Sequence, residues 1–291
     1  MSGFFRHVSL WMFAAVFSWA TVVLAAGPLR ALRLSSPFWI FWPVSALVSV
    51  GMWMAGVPAA ACAFAAVVLV VGLFTEIEGW GASRGAAGLG SMVALCAAVG
   101  AGVGAWCRTL KVAPLTWISN WVEPMVVKMK ELYPQLDVDL DLIVSQLPSA
   151  LIIMGLLVLA IAVLSERTWL RFADSRVLPA RKWTDFKVWD VGIYVLMLAL
   201  LAALTRHGIK PVTIVGVNVL NVLVVLYFFQ GMAVVFKAFD VFRVGALWRV
   251  LISFVLIFQL AILVAVVGVS DYWLEIRNRL ARRPVGPKAE L

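Results

Sequence analysis

Charged side chains are scarce in this sequence: they make up 13% of its 291 residues, about half the share of an ordinary soluble domain. A chain so poor in charge cannot build a water-facing surface, and its 64% hydrophobic content and mean hydropathy of +1.01 assign it to the bilayer instead. Histidine is scarcer still. His7 and His207 both fall near span ends and form no HExxH pair, which excludes that class of zinc hydrolase. No serine stands in a nucleophile elbow and no pair of aspartates lies in mid-span. No catalytic residue is expected, and the chain does not read as an enzyme. The three cysteines, Cys62, Cys96 and Cys107, lie in or beside different apolar stretches without redox or metal spacing. Neither a metal site nor a cofactor is expected.

What fills the chain is a series of apolar stretches, each long enough to cross about 30 Å of hydrocarbon as a helix. The fold class is therefore all-α, a polytopic transmembrane helical bundle. Eight spans are expected, near 8–26, 38–55, 57–74, 86–106, 148–165, 188–205, 211–236 and 249–270, with seven or nine as alternatives. Gly56-Val57-Pro58 breaks a run too long for one helix, so the second and third spans should form an antiparallel hairpin. Arg6 followed by an apolar run ending in VLAAGP has the outline of a secretory signal. The bulk of Trp11 and Trp19 argues for a retained first helix. Residues 1–291 read as one integral membrane domain, with four spans in 8–106, an extramembrane segment at 107–147, four spans in 148–270 and a basic tail at 271–291.

The net charge of +9 does not signal nucleic acid, because no basic stripe with interleaved aromatics stands in a foldable soluble region. Basic loops beside spans account for it, and the partner is the lipid bilayer. Orientation stays open: the two sets of alternate loops each hold 12 Lys and Arg residues.

In the central segment, apolar residues from Trp121 to Tyr133 recur with helical spacing while Glu123, Lys128, Lys130 and Glu131 occupy other faces. An amphipathic helix follows, with Pro124 in its first turn and Pro134 at its end. Its role is a membrane-surface helix, a lid or a partner site. The LDVDLDL stretch after it alternates Asp137, Asp139 and Asp141 with apolar residues. It lacks the glycine and glutamate of a calcium loop, having Leu142 and Pro148 at those positions, and reads as a solvated acidic edge.

Small and polar residues inside the spans are the remaining clues. Gly100 and Gly104 form a GxxxG pair suited to close helix packing. GAGVGA has no preceding strand and is no dinucleotide loop. In NVLNVLVVLYFFQG, Asn218 and Asn221 lie about 300° apart on the wheel and so share one face, whereas Tyr227 and Gln230 belong to another. Such groups either hydrogen-bond between helices or line a polar cavity. Asn218 and Asn221 are the candidates for a ligand, and Tyr227, Gln230 and Gly231 for helix packing. The last span adds Ser253 and Gln259, then ends where Asp271, Glu275, Arg277 and Arg279 suit an interfacial ion-pair network beside Tyr272 and Trp273.

The Asn-bearing span running into LYFFQGMAVVFKAF, with a final span closing on VVGVSDYWLEIRNRL, resembles the YybS-like bacterial membrane proteins, a family labelled domain of unknown function 2232. The likeness covers roughly residues 146–280, and the N-terminal half matches it in hydropathy alone. The resemblance implies a multi-pass protein of the bacterial inner membrane. The family is in turn distantly similar to S components of energy-coupling factor transporters, which capture solutes and dock on a scaffold with ATPase subunits. Ala14 and Ser18 have the spacing of the S-component docking surface, but Phe17 and Trp19 crowd it. Two functions follow. One is a solute-binding or transport component with a cavity lined by Asn218, Asn221 and Gln230. The other is a non-transporting scaffold or assembly protein whose 120–145 segment or basic tail meets another membrane protein.

Overall fold

Pro58 and Pro114 each open a helix, where a missing N–H costs nothing, and Ser83 and Asp139 cap two more with side-chain oxygens. These local signals recur along a computed structural model that describes residues 3–135, 139–173, 183–204 and 210–281. The helices are α1 (Gly3–Ala20), α2 (Ala26–Ser35), α3 (Phe38–Met54), α4 (Pro58–Gly79), α5 (Arg84–Leu110), α6 (Pro114–Leu132) and α7 (Leu140–Phe172). They continue with α8 (Gly192–Leu204), α9 (Lys210–Val241), α10 (Ala246–Phe258), α11 (Ala261–Leu274) and α12 (Ile276–Ala281). Short 3-10 turns stand at Val22–Ala25 and Trp183–Asp185, and no strand occurs among the described residues.

Among the described residues four helices, α4, α5, α7 and α9, are long and apolar enough to cross a bilayer, and α10 with α11 makes a fifth if counted as one span. Among the described residues the expected spans at 8–26, 38–55 and 188–205 correspond to shorter apolar helices, so helix length there supports four or five crossings and does not confirm eight. The expected span 249–270 turns by 97° between α10 and α11, at Gln259 and Leu260. Hydropathy averages composition and is blind to the direction of the axis, which is why one apolar run passed for one straight helix.

Two other expectations are corrected. The stretch between the expected spans 8–26 and 38–55, a loop by that reading, is the buried helix α2. The amphipathic helix starts at Pro114, which leaves Pro124 in its interior. Of the acidic stretch, exposed Asp139 and Asp141 lead into α7, which Asp139 caps by accepting from the Asp141 N–H at 3.0 Å, and Pro148 lies within that helix. Leu136, Asp137, Val138, His207 and the tail beyond residue 281 lie outside the described residues, as do the side chains of His7, Ser18 and Trp19.

The chain divides into two units, Met1–Ala180 and Arg181–Leu291. In the first, Leu10, Leu29, Phe41, Phe64, Val71 and Ala162 are fully buried in one core drawn from α1, α2, α3, α4, α5 and α7. The α3–α4 hairpin turns at Gly56, whose φ of +80° suits a residue without a Cβ, and sets Trp42 against Gly72. Gly27 lets α2 lie on Ser165 and Trp169 of α7. Hydropathy groups α7 with the C-terminal half, but its packing belongs to the N-terminal unit. In the second unit, α8 and α11 pack on α9. Gly216 allows close approach to Ala202, and Gly231 and Gly268 bring the backbones of α9 and α11 together.

Candidate functional site

Arg30 is 1% exposed, an unusual setting for a guanidinium, and α2 is the element that carries it inward. Its Nε donates to Glu166 Oε2 of α7 at 2.9 Å, Nη2 to Glu78 Oε2 of α4 at 2.6 Å, and Nη1 to Thr75 Oγ1 at 3.3 Å. The Phe74 ring centroid lies 4.9 Å from the guanidinium carbon. Glu78 uses its other oxygen to accept from Arg84 Nε at 2.8 Å, at the start of α5. One turn along α2, Arg33 Nε donates to Glu76 Oε1 at 2.6 Å, and the same oxygen accepts from Trp42 Nε1 of α3 at 3.2 Å. Three arginines thus meet three glutamates, and four helices besides α2 contribute.

Ionised groups withdrawn from water cost several kcal/mol each unless opposite charge and hydrogen bonds replace the solvent. This cluster is charge-balanced, and the planar fork of Arg30 reaches acceptors on two helices at once. Such a set can hold α2, α4 and α7 in one register. No group of His, Cys, Asp or Glu suited to a metal ion exists among the described residues.

A second buried cluster lies in the other unit. Gln230 is 1% exposed; its Oε1 accepts from the Val188 N–H at 2.8 Å, while Nε2 donates to Gly268 O at 3.0 Å and to Asp271 Oδ2 at 3.4 Å. Arg277 closes the set, donating from Nε to Asp271 Oδ2 at 2.8 Å and from Nη1 to Phe186 O at 2.6 Å. The close crossing at Gly231 and Gly268 is what puts the Gln230 amide within reach of α11. Tyr227, one turn earlier, is buried against Val188, Ile193 and Leu223. Asp271 and Arg277 form an ion pair, with Asp271 95% buried. Glu275 ends α11 at φ 45° and accepts from Asn278 Nδ2 at 3.1 Å, and Arg279 is exposed on α12.

The two asparagines are elsewhere. Asn218 is half-buried and donates from Nδ2 to Ile214 O of its own helix at 2.9 Å; Asn221 is half-buried one turn on. Gln230 follows them by nine and twelve residues on α9, or roughly 14 and 18 Å of helix. A cavity of about 430 Å³ does lie beside this stretch, between α8 and α9. Among the described residues its lining, which includes Leu198, Ala202, Val212, Val215 and Val219, has no polar side chain and includes none of Asn218, Asn221 and Gln230. Gly100 and Gly104 make no close helix contact among the described residues. A Cβ on either would meet nothing within 4 Å, because α5 presents that face outward.

The family described as "Predicted membrane protein (DUF2232)" matches residues 8–272. The chain belongs to the DUF2232 family. The match takes in the N-terminal half as well as the C-terminal stretch in which the resemblance was legible. No curated protein and no solved structure matches the chain.

In this DUF2232 protein the residues that sequence reasoning missed are Arg30, Arg33, Glu76, Glu78, Arg84 and Glu166. All stood in stretches read as loops. The available signal was numerical: two arginines on α2 and one at Arg84 equal in number the glutamates at the ends of two long apolar runs. The Gln230 cluster gives a direct test. Gln230→Leu strips the Val188 N–H, Gly268 O and Asp271 of a partner, which should cost about 1–3 kcal/mol. Thermal unfolding in detergent measures it, and a Gln230→Leu protein as stable as the parent would remove the cluster from the account of the fold.

Proposed function

We propose that this protein is a non-transporting membrane scaffold or assembly protein of the bacterial inner membrane, acting through helix packing and contact with another membrane protein. The supporting observation is how its buried polar groups are used. Arg30, Glu166, Gln230 and Asp271 all bind neighbouring helices of the chain, and the described residues that line the cavity between α8 and α9 are apolar. A site for a hydrophilic solute needs convergent polar groups aimed into a cavity. The reading involves no catalytic step, no cofactor and no nucleic acid.

Native mass spectrometry of the full chain, purified in mild detergent from cells grown under several conditions, tests it against solute capture. The expected result is a chain free of any stoichiometric polar solute and of ATPase subunits. A retained solute that is lost in the Asn218→Leu, Asn221→Leu double variant, with thermal stability unchanged, would overturn the scaffold reading in favour of a transport component.

A further inference from the structure

Helix α6 joins α5 to α7, both long enough to cross the bilayer, through the short link Lys111–Ala113 on one side and residues 133–139 on the other. A 19-residue helix placed so, about 28 Å long, is tethered at both ends close to the membrane surface. Its apolar side is divided. Val122 and Val126 are buried, 5% and 6% exposed, where α6 packs on α7 and α5. Trp121, Met125 and Leu132 fall within about 40° of one another on the wheel, roughly 100° away from that seam, and are 60%, 55% and 66% exposed. Glu123, Lys130 and Glu131 occupy the far side, and exposed Lys128 flanks the open stripe beside Trp121.

We infer that α6 is a surface-docking helix for anionic phospholipid, with Trp121, Met125 and Leu132 inserted at the acyl boundary and basic residues on the headgroups. The charge is complementary. Exposed Lys128 flanks the stripe and exposed Arg108 and Lys111 precede the helix, whereas Glu123 and Glu131 lie on its far side and exposed Asp139 and Asp141 follow only at the start of α7. Lys128 is placed to run its methylene stem along the stripe while its ammonium reaches the phosphate layer. Trp121 is of the amphipathic aromatic type that settles at headgroup depth. The inference does not depend on the scaffold reading, since a transporter would hold the same helix in the same place.

The test uses the full chain with Cys62, Cys96 and Cys107 replaced by alanine, and a spin label on Met125→Cys or, separately, Glu123→Cys. Leu132→Cys serves as a second position on the stripe. Each is reconstituted in nanodiscs of phosphatidylcholine alone or mixed with phosphatidylglycerol, and collision rates with oxygen and a water-soluble nickel chelate are measured. The expected result is an oxygen-to-nickel ratio several-fold higher at 125 and 132 than at 123. In anionic discs that contrast should rise further and be reduced by Lys111→Gln combined with Lys128→Gln. Equal nickel access at 125 and 123 in both lipids would put the helix in water and overturn the inference. A label at 125 shielded from both probes would also overturn it, in favour of a protein covering the stripe. A contrast indifferent to lipid charge and to the lysine substitutions would overturn the anionic recognition.

Discussion

Arg30→Met is expected to lower the stability of the folded protein by about 3–5 kcal/mol, the range for breaking one side of a buried ion pair. The cost arises less from the lost attraction than from what remains. Glu166, 4% exposed, loses the guanidinium 2.9 Å away, and Thr75 loses its donor. Glu78 is cushioned because Arg84 still donates to it. Arg30→Lys should rescue little, since a single ammonium cannot reproduce a fork that spans α4 and α7. Arg30→Met combined with Glu166→Leu should be less destabilised than Arg30→Met alone, because the stranded carboxylate is removed with its partner. Thermal or denaturant unfolding in a fixed detergent measures all four proteins. If Arg30→Met unfolds together with the parent, α2 is not held by this network.

Gly268→Val is the second large effect. A Cβ at this position would run into the Tyr227 carbonyl and the Gly231 amide, both backbone groups that no rotamer change can move aside. The α9–α11 crossing must widen, and widening also pulls Gly268 O away from Gln230 Nε2. The penalty should lie at the top of the roughly 1–3 kcal/mol range for overpacking or above it, visible as a lower melting temperature and loss of monodisperse protein. Gly100→Ala is the control: its Cβ meets nothing within 4 Å, so the change should be neutral or slightly stabilising through helix propensity. A Gly100→Ala variant as damaged as Gly268→Val would mean that the open face of α5 carries a partner.

The contrast between these glycines shows how far the pattern could be read. GxxxG at Gly100 and Gly104 is a local motif and says only that a close approach is permitted. Which helix uses its permission depends on where the neighbours lie, and here Gly231 and Gly268, 37 positions apart in the chain, form the crossing. The polar residues follow the same rule. Asn218, Asn221 and Gln230 are equally conspicuous within one apolar run, but only the path of residues 186–188 and of α11 puts the Gln230 amide between Val188 and Gly268.

Medium, helical class and the approximate place of most apolar segments were determined by the sequence alone, because these are additive properties of neighbouring residues summed over a turn or a span. Charge pairing was not. Arg30 and Glu166 lie 136 positions apart and Arg30 and Glu78 lie 48 apart; in the sequence they look like basic and acidic loop residues. Only the tertiary structure turned the 28–36 stretch into a buried helix, broke the last apolar run at Gln259 and Leu260, and gave α7 to the N-terminal unit. The physical reason is common to all three. A buried charge or a turned helix axis is tolerated only when groups distant in the chain supply the partner, and hydropathy contains no information about distance in space.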